Sequence, residues 1–475
     1  MFQKIKLVAL SVIAVLCGSV VYADNQTATV SPILPSTTLP FQVAVEQANF
    51  SLPNGIHSGA FATYKDQWLF IAGRTNGLHG FGPGDNNFPP QQQNVVVYVV
   101  DPRVPVVYAK SLYDPTAGLN QTQIDSLSVT SPQSYQSGKT LYMTGGYGVN
   151  TATGLFDTKN LLTAIDVRGL MHWVTNASPG ETAAQYIRQI SNDVFQVTGG
   201  YMTSTFGNET LLIFGQNFTG FYTDSANGNY IQQVQRFKIH DNGKNLSVTV
   251  KDPYPALPDP NYRRRDLNVV PIMQGFYGMP YPSFVAFSGV FTETSGAWTV
   301  PVLIDPKGVP SMNDPNNPST FKQGMNNYVC PTVGLYSKRT RDMYTILFGG
   351  ISFGYFQSGG FVTDSELPFI NQITTIQLNK HGNYFQYLMS NQYPVIPSTG
   401  SNPGNPLLFG AGAYYIPVEN LPAFDNDVLM LDKLGPDPLL IGYIVGGIMS
   451  TLPNTNVNSD SAASPYIFRV ILTPQ

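Results

Sequence analysis

The sequence predicts an all-β protein: a six-bladed propeller of four-stranded antiparallel blades, closed by its N-terminal strand. Three observations predict it. An apolar run ending in glycine recurs six times, mostly at intervals of about 60 to 75 residues, the mark of a repeat architecture. A polar turn opened by Asp or Asn follows each of the first five runs. A short segment rich in small residues precedes several of them, as an innermost strand crowded at an axis requires. Four-stranded sheets repeated radially make a propeller.

The chain opens with MFQKIKLVALSVIAVLCGSVVYA. Lys4 and Lys6 form a positive n-region, Leu7 to Val15 a short apolar core, and Val21-Tyr22-Ala23 puts small residues at −3 and −1 of a cleavage site. These features predict a secretory signal peptide over residues 1–23. A membrane anchor would need about 20 apolar residues. No later segment is long and apolar enough to span a membrane, and the bulky Leu16 disfavours a lipoprotein site at Cys17. Secretion into the medium, the cell surface or the periplasm follows, after cleavage near Ala23. Cleavage removes two lysines and no acidic residue, leaving 23 basic and 29 acidic residues, net −6. It also leaves Cys330 as the one cysteine, so no intrachain disulfide forms and stability must come from the core. Seven N-x-[ST] sequons, at Asn25, Asn49, Asn120, Asn176, Asn208, Asn217 and Asn245, leave the bacterial or eukaryotic origin open.

Residues 24–39 read as a linker and 40–475 as one domain. The glycine-ended runs are Leu69–Gly73, Leu141–Gly146, Leu211–Gly215, Phe284–Gly289, Ile346–Gly350 and Ile444–Gly447. The polar turns follow at Asp101-Pro102, Ile165–Gly169, Ile239–Gly243, Ile304–Gly308 and Leu378–Gly382. Asp or Asn opening a turn, with Gly at a position of positive φ, is hairpin chemistry. The innermost strands are expected at Ser58–Thr63, Val194–Gly200, Val329–Gly334 and Leu407–Gly412. Tyr466–Leu472 reads as the third strand of the last blade, and the orphan strand Phe41–Val45 supplies its fourth, which removes free sheet edges. Asp427–Gly435 reads as an extended hairpin inside that blade; a seventh, incomplete blade is the alternative.

Composition narrows the function classes. Charged residues are 11 %, against about 25 % in an average globular protein. Aromatics are 12 % and apolar residues 42 %, enough for a large core and against disorder. A net charge of −4 on the full chain provides no basic field for nucleic acid.

With these units in place, the chain resembles the Kelch repeats, the type found in galactose-oxidase-like propellers, over residues 40–475. Kelch units carry a strand ending in Gly-Gly, a loop, then a strand ending in an apolar-Asp turn. Gly145-Gly146, Gly349-Gly350 and Gly446-Gly447 match the diglycine, and Trp173 is the one candidate for the Kelch tryptophan. The copper oxidases of this fold need two axial histidines, a tyrosine next to one of them, and a cysteine crosslinked to a second tyrosine. No Tyr-His dipeptide exists here, although Cys330 falls at an inner location.

Propeller ligands sit at the axial mouth, formed by loops leading into the inner strands. Aligning the units places His57, Asp125, Arg188 with Asn192 and Asp193, Arg264 with Arg265 and Asp266, Asn326 with Asn327, and Asn405 at that rim. Such a set could bind a sugar or a carboxylate, Arg offering planar bidentate donors. It could equally tie turns and blades together. Arg263-Arg264-Arg265-Asp266 is either an anion clamp or an interblade tie. No two of the five histidines share a close metal-ligand spacing, and no calcium-loop pattern exists, so neither metal nor cofactor is expected. His240 and His381 read as solvated turn residues, and Cys330 as a small buried hydrophobe. There is no H-E-x-x-H. Asp125, Asp193 and Asp266 could meet at the axis as glycosidase carboxylates. The long loops Thr75–Gln93, Phe218–Tyr230 and Gly354–Phe369 mix Tyr, Phe, Asn, Gly and Ser and suit wet recognition of glycan or protein.

The sequence therefore predicts a secreted, monomeric recognition or scaffold protein that binds a glycan or an extracellular protein partner. The alternative is a carbohydrate-active enzyme (mutarotase, hydrolase or copper oxidase) that uses the axial polar cluster. Fold alone does not choose between them.

Overall fold

The computed structural model describes residues 30–82, 87–205, 207–223, 228–276, 279–293, 296–455 and 459–475. The expected signal peptide and its cleavage site lie outside the described residues. Across the described residues the chain is a β-propeller with four-stranded antiparallel blades.

Five sheets have this form. The first runs Ala60–Tyr64, Gln67–Ile71, Val96–Asp101, Val106–Ser111. The second runs Gln133–Ser137, Thr140–Thr144, Leu161–Asp166, Ile187–Ser191. The third is Tyr201–Ser204, Thr210–Ile213, Val234–Asp241, Leu246–Tyr254. The fourth is Asn268–Phe276, Met279–Phe287, Val302–Ile304, Pro310–Met312. The last joins Ala413–Pro417, Leu439–Gly446 and Tyr466–Pro474 to Phe41–Ser51 from the other end of the chain. Phe41 faces Pro474 and Val45 faces Val470 in that antiparallel pair. Phe41, Val43 and Val45 are buried at alternate positions, as period-2 patterning dictates.

Five four-stranded blades are thus observed where the sequence predicts six; a sixth large sheet departs from that form. Thr332–Ser337, Asp342–Ile351, Phe369–Leu378 and Tyr384–Gln392 form it, but both edges gain a parallel strand. Ile33–Pro35 pairs with Gln386–Leu388 on one edge, so the stretch expected as a linker joins the fold from Ile33. Leu429–Met430 pairs with Leu335–Tyr336 on the other. That second addition corrects the reading of Asp427–Gly435, which builds neither a hairpin in the last blade nor a seventh blade. Leu429 and Leu431 are buried there, and covering the inner edge of a neighbouring sheet buries them without a new blade.

The repeat is sharper in conformation than in sequence. At each glycine-ended run two consecutive residues are left-handed: Ala72-Gly73, Gly145-Gly146, Phe214-Gly215, Ser288-Gly289, Gly349-Gly350 and Gly446-Gly447. The first has φ between +54° and +69°, the second between +80° and +101°. The second is Gly in every case, because few side chains tolerate that region. A single left-handed residue precedes each inner strand: Ser58, Ser131, Gly199, Asp266, Val329 and Gly412, with φ between +48° and +67°. Their backbones follow one another around the axis. Ser58 N donates to Gly412 O (3.0 Å), Ser131 N to Ser58 O (2.7 Å), Gly199 N to Ser131 O (3.2 Å), Asp266 N to Gly199 O (2.8 Å) and Gly412 N to Val329 O (2.7 Å). The expected segments Ser58–Thr63 and Val329–Gly334 run from this ring into the inner strands Ala60–Tyr64 and Thr332–Ser337, whereas Val194–Gly200 and Leu407–Gly412 end just before theirs, Tyr201–Ser204 and Ala413–Pro417. A Cβ on Gly412 would come within 2.7 Å of Ser58 Oγ, so the ring is crowded at that position.

One polar turn is not a hairpin. Asp166 accepts a hydrogen bond from Gly169 N (2.9 Å) and N-caps the helix Val167–Asn176. This helix buries Leu170, Met171 and Trp173 against Leu69, Val99 and Leu141 of the first two sheets. Trp173, the candidate repeat tryptophan, therefore sits on a helix and not on a blade strand. The turns at Gly243, Gly308 and Gly382 do have the expected positive φ, between +82° and +86°. Asp305 accepts from Lys307 N and Val309 N, each at 2.8 Å, and Asn379 from His381 N and Asn383 N.

Candidate functional site

A cavity of about 150 Å³ lies on the axis, and all six residues of the backbone ring line it. Its wall is built by a repeated device. The residue before each ring position bridges to the residue directly after the left-handed pair. The pairs are His57 with Arg74, Thr130 with Tyr147, Thr198 with Gln216, Arg265 with Val290 and Tyr328 with Ile351. Ile448 N donates to Ala411 O (2.7 Å) in the last unit. All twelve residues line the cavity. The long loops after the first and third glycine runs add His79, Phe81 and Phe88, and Phe218 and Tyr222.

The aromatic side is tightly packed. The His79 ring stacks on Phe88 at 4.6 Å and meets Phe81 at 4.6 Å and Tyr222 edge-on at 4.7 Å. Tyr147 donates to Gly220 O (2.7 Å), fixing its ring against Phe88 and Phe218. Two guanidinium groups lie against these rings. Arg74 is 4.9 Å from the Phe88 centroid; Arg265 is 5.0 Å from Phe291 and 5.4 Å from Tyr222. Cations over aromatic faces are favourable, more so when desolvated.

Polar partners divide the site into spent and unspent groups. His57 Nε2 donates to Asn76 O (2.9 Å), which leaves Nδ1 to accept from Ser58 Oγ (3.0 Å). Burial pushes His57 down to about 3 and His79 down to about 4, so both rings are neutral near pH 7. Arg74 gives Nε to Asn76 Oδ1 (2.9 Å) and another N–H to Pro89 O (3.1 Å), and burial lowers it to about 10. Arg265 donates to Tyr222 Oη (2.8 Å), but its buried Nε has no hydrogen-bond partner among the described residues. The nearest carboxylate oxygen, on Asp266, is 3.8 Å away. Burial raises the Asp266 carboxyl above the ordinary range, with Arg265 opposing that rise. The side chain of Asp266 remains 30 % exposed.

Of the eight residues expected to bind at the rim, His57, Arg265 and Asp266 line the cavity and five do not. Asp125 lies in the helix Gln121–Leu127 and accepts from Thr151 N (2.8 Å), Thr151 Oγ1 (2.7 Å) and Gln121 Nε2 (2.8 Å). Arg188 makes a two-pronged bond to Asp241 of the next sheet, at 2.7 and 3.2 Å. Asp193 is exposed in the first turn of a 3₁₀ helix, Asp193–Phe195. Arg264 is fully buried and donates to Ser288 O (3.1 Å) and Val300 O (2.8 Å), over the Trp298 ring. Asn327 is also fully buried and donates to Gly349 O (2.8 Å) and Gln372 O (3.1 Å). Asp125, Arg188, Arg264 and Asn327 hold turns and sheets together, because buried polar groups need partners; Asp193 faces solvent. Asp125, Asp193 and Asp266 do not meet, so no pair of glycosidase carboxylates is assembled from them. Sequence reasoning missed Arg74, His79, Tyr147, Gln216, Tyr222 and Tyr328. Arg74 directly follows the first glycine run, the one signal that could have marked it.

Cys330 is buried, and burial pushes its thiol up to about 12. His240 and His381 are exposed, with His240 on the strand Val234–Asp241 rather than in a turn. The hairpin made by Gly354–Gln357 and Gly360–Thr363 in the third long loop does not line the cavity.

No family model matches the chain, and no curated protein matches it. Among solved structures, one titled "Structure of YjhT" is similar at 12 % identity and a TM-score of 0.43, covering 87 % of this chain and 95 % of that one.

Proposed function

We propose that the protein is an exported propeller that recognises one small, ring-sized molecule, a sugar unit or a ring-bearing carboxylate, in its axial cavity. Within this reading the sheet of six strands counts as a sixth blade with two added edge strands. The pairing of Phe41–Ser51 with Tyr466–Pro474 then closes the ring between the two ends of the chain. The observation that carries the proposal is Arg265 beside Asp266 at the cavity, with a buried Nε–H that has no hydrogen-bond partner among the described residues. A buried donor without a partner costs about 1–3 kcal/mol, which a ligand acceptor recovers. Size supports the same class. An apolar cavity of about 150 Å³ in another protein holds a single benzene ring. Aromatic walls with a few placed polar groups are the general make-up of small-ligand sites.

The test is calorimetry and thermal shift on residues 24–475 with a panel of monosaccharides, sugar acids and small aromatic acids. A compound that stabilises the wild type, and whose effect is lost in Arg265→Ala with the fold intact by circular dichroism, bears the proposal out. A panel in which nothing binds, or binding that Arg265→Ala leaves unchanged, removes it. Glycan or protein recognition through the long loops would then be the reading to pursue.

A further inference from the structure

We propose that the ligand of the axial cavity presents an uncharged hydroxyl, not a carboxylate, to a break in the backbone ring between Asp266 and Val329. This rests on the reading above that the cavity is a ligand site. It narrows that ligand to a neutral polyhydroxylated ring.

The break is a departure from the ring's own repeat. Five successive links around the axis are backbone hydrogen bonds. The sixth, from Val329 N–H to the Asp266 carbonyl, is not formed among the described residues. Unspent polar groups gather at this place. Val329 contributes its N–H. Arg265 contributes its buried Nε–H, which has no partner among the described residues. Asp266 contributes its carboxylate, 3.8 Å from that Nε. All three residues line the cavity. With the Asp266 carbonyl that the missing link leaves without a donor among the described residues, the set is two donors and two acceptor groups. A hydroxyl both accepts and donates, so neighbouring hydroxyls on one neutral ring answer both kinds.

Charged ligands fit less well. An ionised carboxylate accepts only, so it leaves Asp266 without a donor and sets a like charge beside it. A cation would answer Asp266, but the aromatic faces already carry the guanidinium groups of Arg74 and Arg265. Arg265 and Asp266 together act as a neutral donor–acceptor pair, and Arg74 is committed to Asn76 and Pro89.

The experiment uses matched pairs that differ only at one carbon: methyl glucoside against methyl glucuronide, and methyl galactoside against methyl galacturonide. Titration calorimetry is run on residues 24–475, wild type and Asp266→Asn. Asn tolerates the left-handed backbone that Asp266 adopts, so this variant changes the charge and keeps the turn. The expected result is a neutral member binding at least tenfold more tightly than its acid. In Asp266→Asn the neutral sugar should weaken about tenfold and the preference against the acid should shrink. An acid that binds as tightly as its neutral partner overturns the inference while leaving the cavity a ligand site. So does a preference that Asp266→Asn leaves unchanged. If no member of either pair binds, the neutral-sugar inference falls. Binding of a small aromatic acid lost in Arg265→Ala would then still uphold the broader reading.

Discussion

Replacing Gly145 with Ala tests whether the first glycine of the left-handed pair is there for its backbone freedom or for the space beside it. Gly145 has φ +60°, and a methyl at its Cβ position would lie 1.9 Å from Val197 O and 2.7 Å from Phe195 O. Both are backbone atoms on the approach to the next sheet, so they cannot move without shifting that sheet. Ala72, Phe214 and Ser288 carry side chains at the matching place with similar φ, which shows that conformation alone does not demand glycine. Two costs therefore add. The left-handed conformation costs a non-glycine residue about 1 kcal/mol. Overpacking against fixed backbone adds roughly 1–3 kcal/mol. Gly180→Ala is the control, because Gly180 has φ +80° and nothing within 4 Å of its Cβ position. It should cost about 1 kcal/mol, the conformational part alone. Urea unfolding followed by tryptophan fluorescence should place Gly145→Ala roughly 2–4 kcal/mol below wild type. At this chain length that is a fall in Tm of only a few °C, so denaturant midpoints are the better readout. If Gly145→Ala and Gly180→Ala unfold at the same midpoint, close approach between sheets is not what selects Gly145.

Further outcomes follow from the ionisable groups. The Arg103 guanidinium bonded to Asp101 holds that carboxyl down at about 2. A depressed carboxyl stabilises the fold above the unfolded pKa of about 4, and this is lost as pH falls toward 2. Because Arg103 is 54 % exposed, the effect is about 1 kcal/mol, and Asp101→Asn should flatten the acid limb of the stability profile by that amount. His57 and His79 titrate in the folded protein at about 3 and about 4, well below the unfolded value of about 6.5. The unfolded chain therefore takes up these protons first, and stability should drop between pH 7.5 and 5 by roughly 1–2 kcal/mol for each ring. His79→Phe keeps the stacking and should reduce that drop; an unchanged pH dependence would place the titration elsewhere. Cys330, buried and with its thiol raised to about 12, should resist iodoacetamide at pH 8 in the folded protein and react at least tenfold faster in urea, by mass spectrometry of its peptide.

Local chemistry was legible in the sequence wherever one short segment determines it. The glycine runs, the Asp and Asn turns at Asp305 and Asn379, and the alternation of Phe41, Val43 and Val45 are local, because turn φ and period-2 burial depend on neighbours in the chain. Register at the axis was not local. Arg264 and Arg265 are adjacent, yet one is buried on Ser288 O and Val300 O while the other faces the cavity. Asn327 likewise turns into the body, where Tyr328 and Val329 line the axis. A one-residue offset exchanges those roles, and aligning degenerate repeats does not resolve one residue.

Residue order alone implies an all-β repeat with glycine at each inner corner, and it brings His57, Arg265 and Asp266 into view as polar groups near the axis. Arg74, His79, Tyr147 and Tyr222 join them in the folded chain alone, since the loops carrying these residues meet when the sheets are set around one axis. The folded chain also adds Ile33–Pro35 and Leu429–Met430 to one sheet, an edge pairing that no local pattern encodes. The physical reason is the same in each case: strand and turn are chosen by residues a few positions apart, whereas a cavity and a sheet edge are filled by whatever distant segment best satisfies their exposed groups.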